Sequence, residues 1–214
     1  MSDLFEDEST DPAPLAANAP LADKLRPQRL EDVVGQEHLT GPEGAIGRMV
    51  AAGKLSSIIF WGPPGTGKTT ISRLLADAVG MRFIPVSAVF TGVADLKKIF
   101  AAAREHAKLS QRTLLFVDEI HRFNRSQQDG FLPYVEDGTI TLVGATTENP
   151  SFELNAALLS RAQVLILRRL DNAALEKLLE RAEALMERAL PLTSEAREAL
   201  IASADGDGRF LLNQ

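Results

Sequence analysis

Apolar residues in this chain come in short unbroken runs, and the stretches between the runs repeat them every three or four positions. Ile58-Ile59-Phe60-Trp61, Arg82-Phe83-Ile84-Pro85-Val86, Leu114-Leu115-Phe116-Val117, residues 139–144 and Val164-Leu165-Ile166-Leu167 are the runs. They read as five strands, the first of them buried and the third a central strand of a parallel sheet. Pro85 cannot donate to a ladder from inside a sheet, so the second run is predicted at an edge. Ile71, Leu74, Leu75 and Ala78 share one helical face, as do Val93, Leu96, Phe100, Ala103 and Ala107, which predicts a helix over 93–108. Ile46, Met49 and Val50 predict a helix over 43–52, and a short helix is expected at 154–160. Strands alternating with helices give an α/β fold: a parallel five-stranded sheet with helices on both faces.

From Asp171 the period becomes helical throughout. Leu175, Leu178, Leu179, Ala182, Leu185 and Met186 predict a helix over 171–189 with Asp171 as its N-cap. Thr193 or Ser194 caps another, running to about Ala204. Asp205-Gly206-Asp207-Gly208 is a turn, and a further helix starting at Arg209 is unfinished at Gln214. The chain thus divides into an α/β core at 23–169 and the start of a helical subdomain at 170–214. Residues 1–22 mix acids with prolines and alanines and read as a disordered acidic tail. Leu4-Phe5 stands out there, either as part of an unstructured start or as a short docking motif.

Composition narrows the functions. The absence of cysteine excludes disulfides, thiolate metal sites and thiol catalysis, and fits a reducing cytosol. No apolar run approaches a membrane span, and an acidic N-terminus is neither a signal nor a transit peptide. A net charge of −6 gives no general attraction to nucleic acid, which would need a local basic patch. Lys97, Lys98, Arg104, His121, Arg122 and Arg125 could supply one, or simply form a solvated face.

Chemistry enters after the first strand. Gly62-Pro63-Pro64-Gly65-Thr66-Gly67-Lys68-Thr69 fits G-x-x-x-x-G-K-[ST], placed between a strand and a helix as a phosphate-binding loop requires. Glycines let backbone N–H groups turn inward around phosphates, and the helix N-terminus adds partial positive charge. Lys68 would reach the β- and γ-phosphates of a bound ATP, and the Thr69 hydroxyl would ligate Mg²⁺, with Thr70 beside it. The third strand ends in Asp118-Glu119, at the sheet edge where ligands bind in such folds. Asp118 would hold the Mg²⁺ and Glu119 would orient the attacking water. The fourth strand ends in polar residues, of which Thr147 or Asn149 would bond the γ-phosphate or the water. A polar turn is the alternative reading there.

These residues carry a resemblance. Gly62 to Thr69 fits many NTPases, but residues 116–124, 126–129 and 144–155 are more specific, and with them the chain resembles AAA+ ATPases of the replication-associated recombination protein A family. The resemblance runs from about Leu21 to Asn213. It implies that Val33, Val34 and Gln36 lie against the adenine, that Thr147 is the sensor-1 residue with Asn149 second, and that Arg161 is an arginine finger reaching a neighbouring subunit's ATP. It places Arg209 as the sensor-2 arginine of a lid. By themselves the two arginines read equally well as solvated surface residues. The family implies Mg-dependent ATP hydrolysis at stalled or gapped replication forks. It also implies DNA junctions or ends and single-strand-binding protein as partners, with a sliding clamp as a further candidate, a homo-oligomer of tetramer size, and a bacterial cytoplasmic, nucleoid-associated location. A clamp-loader subunit, a RuvB-like motor and a nucleotide-gated scaffold with little turnover are the alternatives. Two departures stand out: Gly208 stands where the family usually has alanine, glycine costing about 1 kcal/mol wherever it falls inside a helix, and the family continues past residue 214.

Overall fold

The computed structural model describes residues 19–214. Leu4-Phe5 and the tail up to residue 18 lie outside the described residues. Five strands form: β1 Ile58–Trp61, β2 Arg82–Ser87, β3 Thr113–Asp118, β4 Ile140–Thr146 and β5 Gln163–Ile166. All pairings are parallel, in the order β2-β3-β4-β1-β5. Pro85 is on the edge strand β2, as its missing N–H requires.

Alternate side chains on the central strands enter two different cores. Ile58, Phe60, Leu114, Phe116, Val143 and Ala145 join Ile71 and Leu75 of the helix Lys68–Ala78 on one face. Ile59, Leu115, Val117 and Leu142 join Phe100 of the helix Val93–Lys108, together with Phe131, on the other. This period of two, with both faces apolar, is why the strands read as continuous runs. Gly144 faces the second of these cores: a Cβ there would come 2.8 Å from Ile120 Cδ1 and 2.9 Å from Ile59 Cδ1.

The third core is small and belongs to the helices Asn172–Met186, Ser194–Ala204 and Gly208–Leu211, packed through Leu175, Leu179, Ile201 and Leu211. Asp171 caps the first of these by accepting from Ala174 N, and Thr193 caps the second by accepting from Ala196 N.

Several expectations shift. The helix expected over 43–52 is Ala45–Ala51, and that over 171–189 stops at Met186, where Glu187 turns left-handed. The stretch 154–160 holds only Ala156–Leu159, because Leu154 is extended after a separate turn of helix, Pro150–Glu153. Ala78, Val93, Ala107 and Leu185 are exposed, so the buried stripes are narrower than the period suggested. A short helix, Leu21–Lys24, begins inside the expected tail. Gly208 is the first residue of its helix, so the mid-helix penalty of about 1 kcal/mol does not apply.

Candidate functional site

Parallel register brings the chemistry to one edge. Trp61 pairs with Thr146 and Val117 with Gly144, so the loop after β1, the Asp118-Glu119 end of β3 and the tip of β4 emerge side by side. Gly65 (φ 67°) and Gly67 (φ 95°) give the loop after β1 its left-handed turns, a conformation only glycine adopts without strain. The helix Lys68–Ala78 follows directly, its N-terminus at the loop.

A cleft of about 460 Å³ opens over this edge. Residues 64–70 form its floor, with Asp118, Glu119 and Thr147 on one wall. Val33 and Val34 line it from the N-terminal side, Leu178 and Arg209 from the helical subdomain. Most of the expected site residues therefore meet in one place, drawn from segments far apart in sequence. A smaller cavity of about 250 Å³ lies between Pro63, Pro64 and the turn at Asp205 and Asp207, away from the carboxylates of β3.

Lys68 is the best-held group. It is 9 % exposed, and its Nζ donates to the carbonyls of Gly62 at 2.8 Å and Pro63 at 2.7 Å. Burial pushes its pKa below the ordinary lysine value, while the negative charges of Glu119, Asp118 and Asp207 pull the other way. An ammonium poised between desolvation and nearby acids is suited to gaining an anionic ligand. Thr69, exposed at the cleft, and Asp118 offer hard oxygen donors to a cation. Among the described residues no group of three or more His, Asp or Glu could hold a metal alone.

Some expected residues do not reach the cleft. Gln36 is fully buried; its amide nitrogen donates to Arg168 O at 2.8 Å and its amide oxygen accepts from Arg168 N at 3.1 Å. It anchors the segment after β5 and does not line the cleft. Asn149 accepts from Ser151 N as the cap of Pro150–Glu153, leaving Thr147 at the cleft. Gly62 and Pro63 act through the carbonyls that hold Lys68, and neither lines the cleft. Arg161 stands apart from it, exposed and paired with Glu136 at 2.6 Å, and donates to Ala157 O at 2.8 Å. Of the basic set, Lys98 pairs with Asp95 at 3.8 Å and Arg104 with Asp137 at 3.7 Å, which favours a solvated face for those two.

Two contributions escaped sequence reading. Ala22, Leu25 and Arg26 close one side of the cleft, because the chain entering the core folds back across it. Asp207 meets the phosphate loop: a Cβ on Gly65 would fall 1.8 Å from Asp207 Oδ1, and Gly208 N donates to Gly65 O at 3.3 Å. An Asp-Gly-Asp-Gly turn gives no hint of which distant loop it touches.

Residues 58–170 match the family model of the ATPase family associated with various cellular activities, AAA. The chain belongs to the AAA family. Its phosphate loop, its Asp118-Glu119 strand end and the tip of β4 all fall inside that match. The chain is 50 % identical over 199 residues to replication-associated recombination protein A of Coxiella burnetii, covering 91 % of this chain and 45 % of that protein. The Escherichia coli K12 protein of the same name is 46 % identical, with 91 % and 44 % covered. ATPase WRNIP1 of Dictyostelium discoideum is 43 % identical, with 91 % and 23 % covered. The chain thus spans less than half the length of these relatives. Among solved structures, the Thermotoga maritima RuvB Holliday junction branch migration motor superposes with a TM-score of 0.72 at 29 % identity, over 88 % of this chain and 63 % of that one. The AAA family assignment implies nucleotide binding.

Proposed function

We propose that this chain is the ATP-hydrolysing module of a replication-associated recombination factor that acts on stalled or gapped replication forks. The observation that carries the reading is the convergence of Lys68, Thr69, Asp118, Glu119, Thr147 and Arg209 on one cleft. Lys68 grips the β- and γ-phosphates, exchanging its bonds to Gly62 and Pro63 for phosphate oxygens. Backbone N–H groups of the loop cradle the same phosphates. Val33 and Val34 pack against the base, and Arg209 approaches the γ-phosphate from the lid. Mg²⁺, held by Thr69 and Asp118, would neutralise charge on the phosphates. Glu119 orients the attacking water and takes its proton, while Thr147 bonds the water or the γ-phosphate. Arg161 acts on the ATP of a neighbouring subunit, which fits its exposed place away from its own cleft.

Recombination at forks, contact with DNA junctions or ends, single-strand-binding protein and a sliding clamp as partners, assembly as a tetramer, and a bacterial cytoplasmic, nucleoid-associated location belong to the same proposal. They rest on 50 % and 46 % identity to proteins named for replication-associated recombination. Among the described residues no helix is long and apolar enough to cross a membrane. The lower identity to the RuvB motor, 29 %, places a branch-migration motor second. The test is ATP turnover with and without DNA ends, in wild type and Glu119→Gln. The variant should bind ATP and hydrolyse it about 10²–10⁴-fold more slowly. Binding without turnover in the wild type would favour a nucleotide-gated scaffold instead.

A further inference from the structure

Glu119 sits at φ 52°, a left-handed backbone that side-chain-bearing residues seldom adopt. Strained positions of this kind collect at functional sites. The turn ends β3 and opens a single 3₁₀ turn, Ile120–Arg122, closed by Arg122 N donating to Glu119 O at 2.8 Å. Ile120 is fully buried against Gly144, so the turn is seated on β4. The next residue, His121, brings its Nδ1 to 3.3 Å from Glu119 Oε2. The same Nδ1 lies 2.9 Å from Thr146 Oγ1, at the tip of β4. The imidazole is 10 % exposed, the Glu119 side chain 35 %.

The proton inventory fixes the roles. The hydrogen bond of Nδ1 runs to Thr146 Oγ1, and because the neighbouring Glu119 carboxylate can only accept, Nδ1 is assigned as the protonated ring nitrogen. Thr146 Oγ1 accepts from Glu148 N at 3.0 Å and gives its own hydrogen to Glu148 O at 3.2 Å. It is therefore left as a second acceptor for Nδ1–H. Each group then has a role that agrees with its neighbours, and the threonine holds the ring in place. Among the described residues no other side chain makes an ion-pair contact with the Glu119 carboxylate, although its charge also acts on the Lys68 ammonium.

We propose that His121, held by Thr146, is the positioning residue that sets the Glu119 carboxylate for hydrolysis. The inference rests on the ATPase reading above. Glu119 alone has a flexible side chain on a strained, partly exposed backbone, and an unheld carboxylate samples orientations that cannot take a proton from an in-line water. His121 removes that freedom. It also joins Glu119 to the strand whose next residue, Thr147, lines the cleft, so that a shift of the β4 tip reaches the carboxylate through one ring.

The test compares steady-state ATP hydrolysis by the intact protein with its affinity for a fluorescent ATP analogue. His121→Phe keeps the ring and removes Nδ1–H. It should lower kcat by roughly 10–10²-fold, the scale of a misplaced reacting group, with KM and analogue affinity unchanged. His121→Asn places an amide N–H within reach of the Nδ1 position and should restore most of kcat. Thr146→Val should lower kcat less, with the same split. If His121→Phe does not fold, His121→Leu against His121→Asn makes the same comparison. Wild-type kcat in the phenylalanine variant overturns the proposal, as does a joint loss of kcat and affinity that asparagine fails to rescue. A wild type that binds ATP without turnover overturns instead the hydrolysis reading beneath it.

Discussion

In the α/β core, β1, β3 and β4 are each paired on both sides and covered by side chains above and below, whereas the helices after Leu170 close around a single small cluster of leucines and alanines with Ile201. The helical subdomain is tied back at separate points. Gly208 N donates to Gly65 O, Arg181 donates to Asp32 O at 2.6 Å, and Leu170 packs against Gly35, where a Cβ would meet Leu170 Cδ2 at 2.6 Å. Within it, Arg197 links the first two helices by binding Glu176 at 2.6 Å and Glu183 at 2.8 Å. That pairing raises the Arg197 pKa and holds the Glu183 carboxyl below its usual range. The core is thus paired and packed on both faces, and the helical subdomain is attached at fewer points and shares the cleft. A nucleotide lying between Lys68 and Arg209 would bridge the two, which makes their relative position a natural readout of binding.

The largest expected effect concerns a core group that faces away from its own cleft. Arg161→Ala should leave nucleotide affinity intact and lower turnover by about 10³–10⁵-fold, the range for arginine fingers. Mixing it with Lys68→Ala protein should restore activity, because an interface then forms between an intact phosphate loop and an intact Arg161. No recovery in mixed oligomers would count against action across an interface. It would also return Arg161 to a surface role, paired with Glu136.

A middle-sized effect would break the join itself. Gly65→Ala puts a methyl against Asp207 Oδ1 at 1.8 Å and Asp207 Cα at 3.0 Å, on a backbone at φ 67°. The backbone atom cannot step aside as a side-chain tip can, so the turn at Asp207 must move away from the loop. Overpacking of this kind costs roughly 1–3 kcal/mol. Nucleotide affinity should fall with stability, whereas Gly53→Ala, in open space at φ 62°, should lower stability alone. Equal affinity in both variants would mean that the lid contact does not shape the cleft.

What the sequence revealed differs between the two regions for a physical reason. The central strands β1, β3 and β4 declare themselves because both faces are buried, unlike β5, where Val164 and Ile166 are exposed, and the G-x-x-x-x-G-K-T loop and Asp118-Glu119 are local in sequence and so fully visible there. The helical subdomain declared its first cap, Asp171, and narrowed the second to Thr193 or Ser194, of which Thr193 is the cap, because capping is also local. Contacts between distant segments were hidden. Gln36 looked like a cleft residue and is instead clamped to Arg168, 132 positions away. Asp207 at the phosphate loop, Arg26 at the cleft and the His121–Thr146 bridge all depend on tertiary approach, which no spacing encodes.

The smallest expected effect tests whether core and helical subdomain unfold as one. Asp171 accepts from Ala174 N at 2.8 Å and so satisfies a donor at the exposed start of Asn172–Met186. Asp171→Ala removes this bond and should cost about 1 kcal/mol. The substitution lies on the surface and does not line the cleft, so catalysis should change little. If the helical subdomain opens separately, hydrogen exchange at residues 172–186 should quicken by about fivefold, the factor for 1 kcal/mol, while β3 and β4 keep their rates. Adding ATP should then slow exchange in that helix most, because Leu178 and Arg209 line the cleft together with the phosphate loop. Equal acceleration in β3, β4 and the helix would mean one cooperative unit. In that case the few contacts at Gly65, Asp32 and Gly35 would be strong enough to make core and lid fold together, and nucleotide binding could not be read from the motion of one against the other.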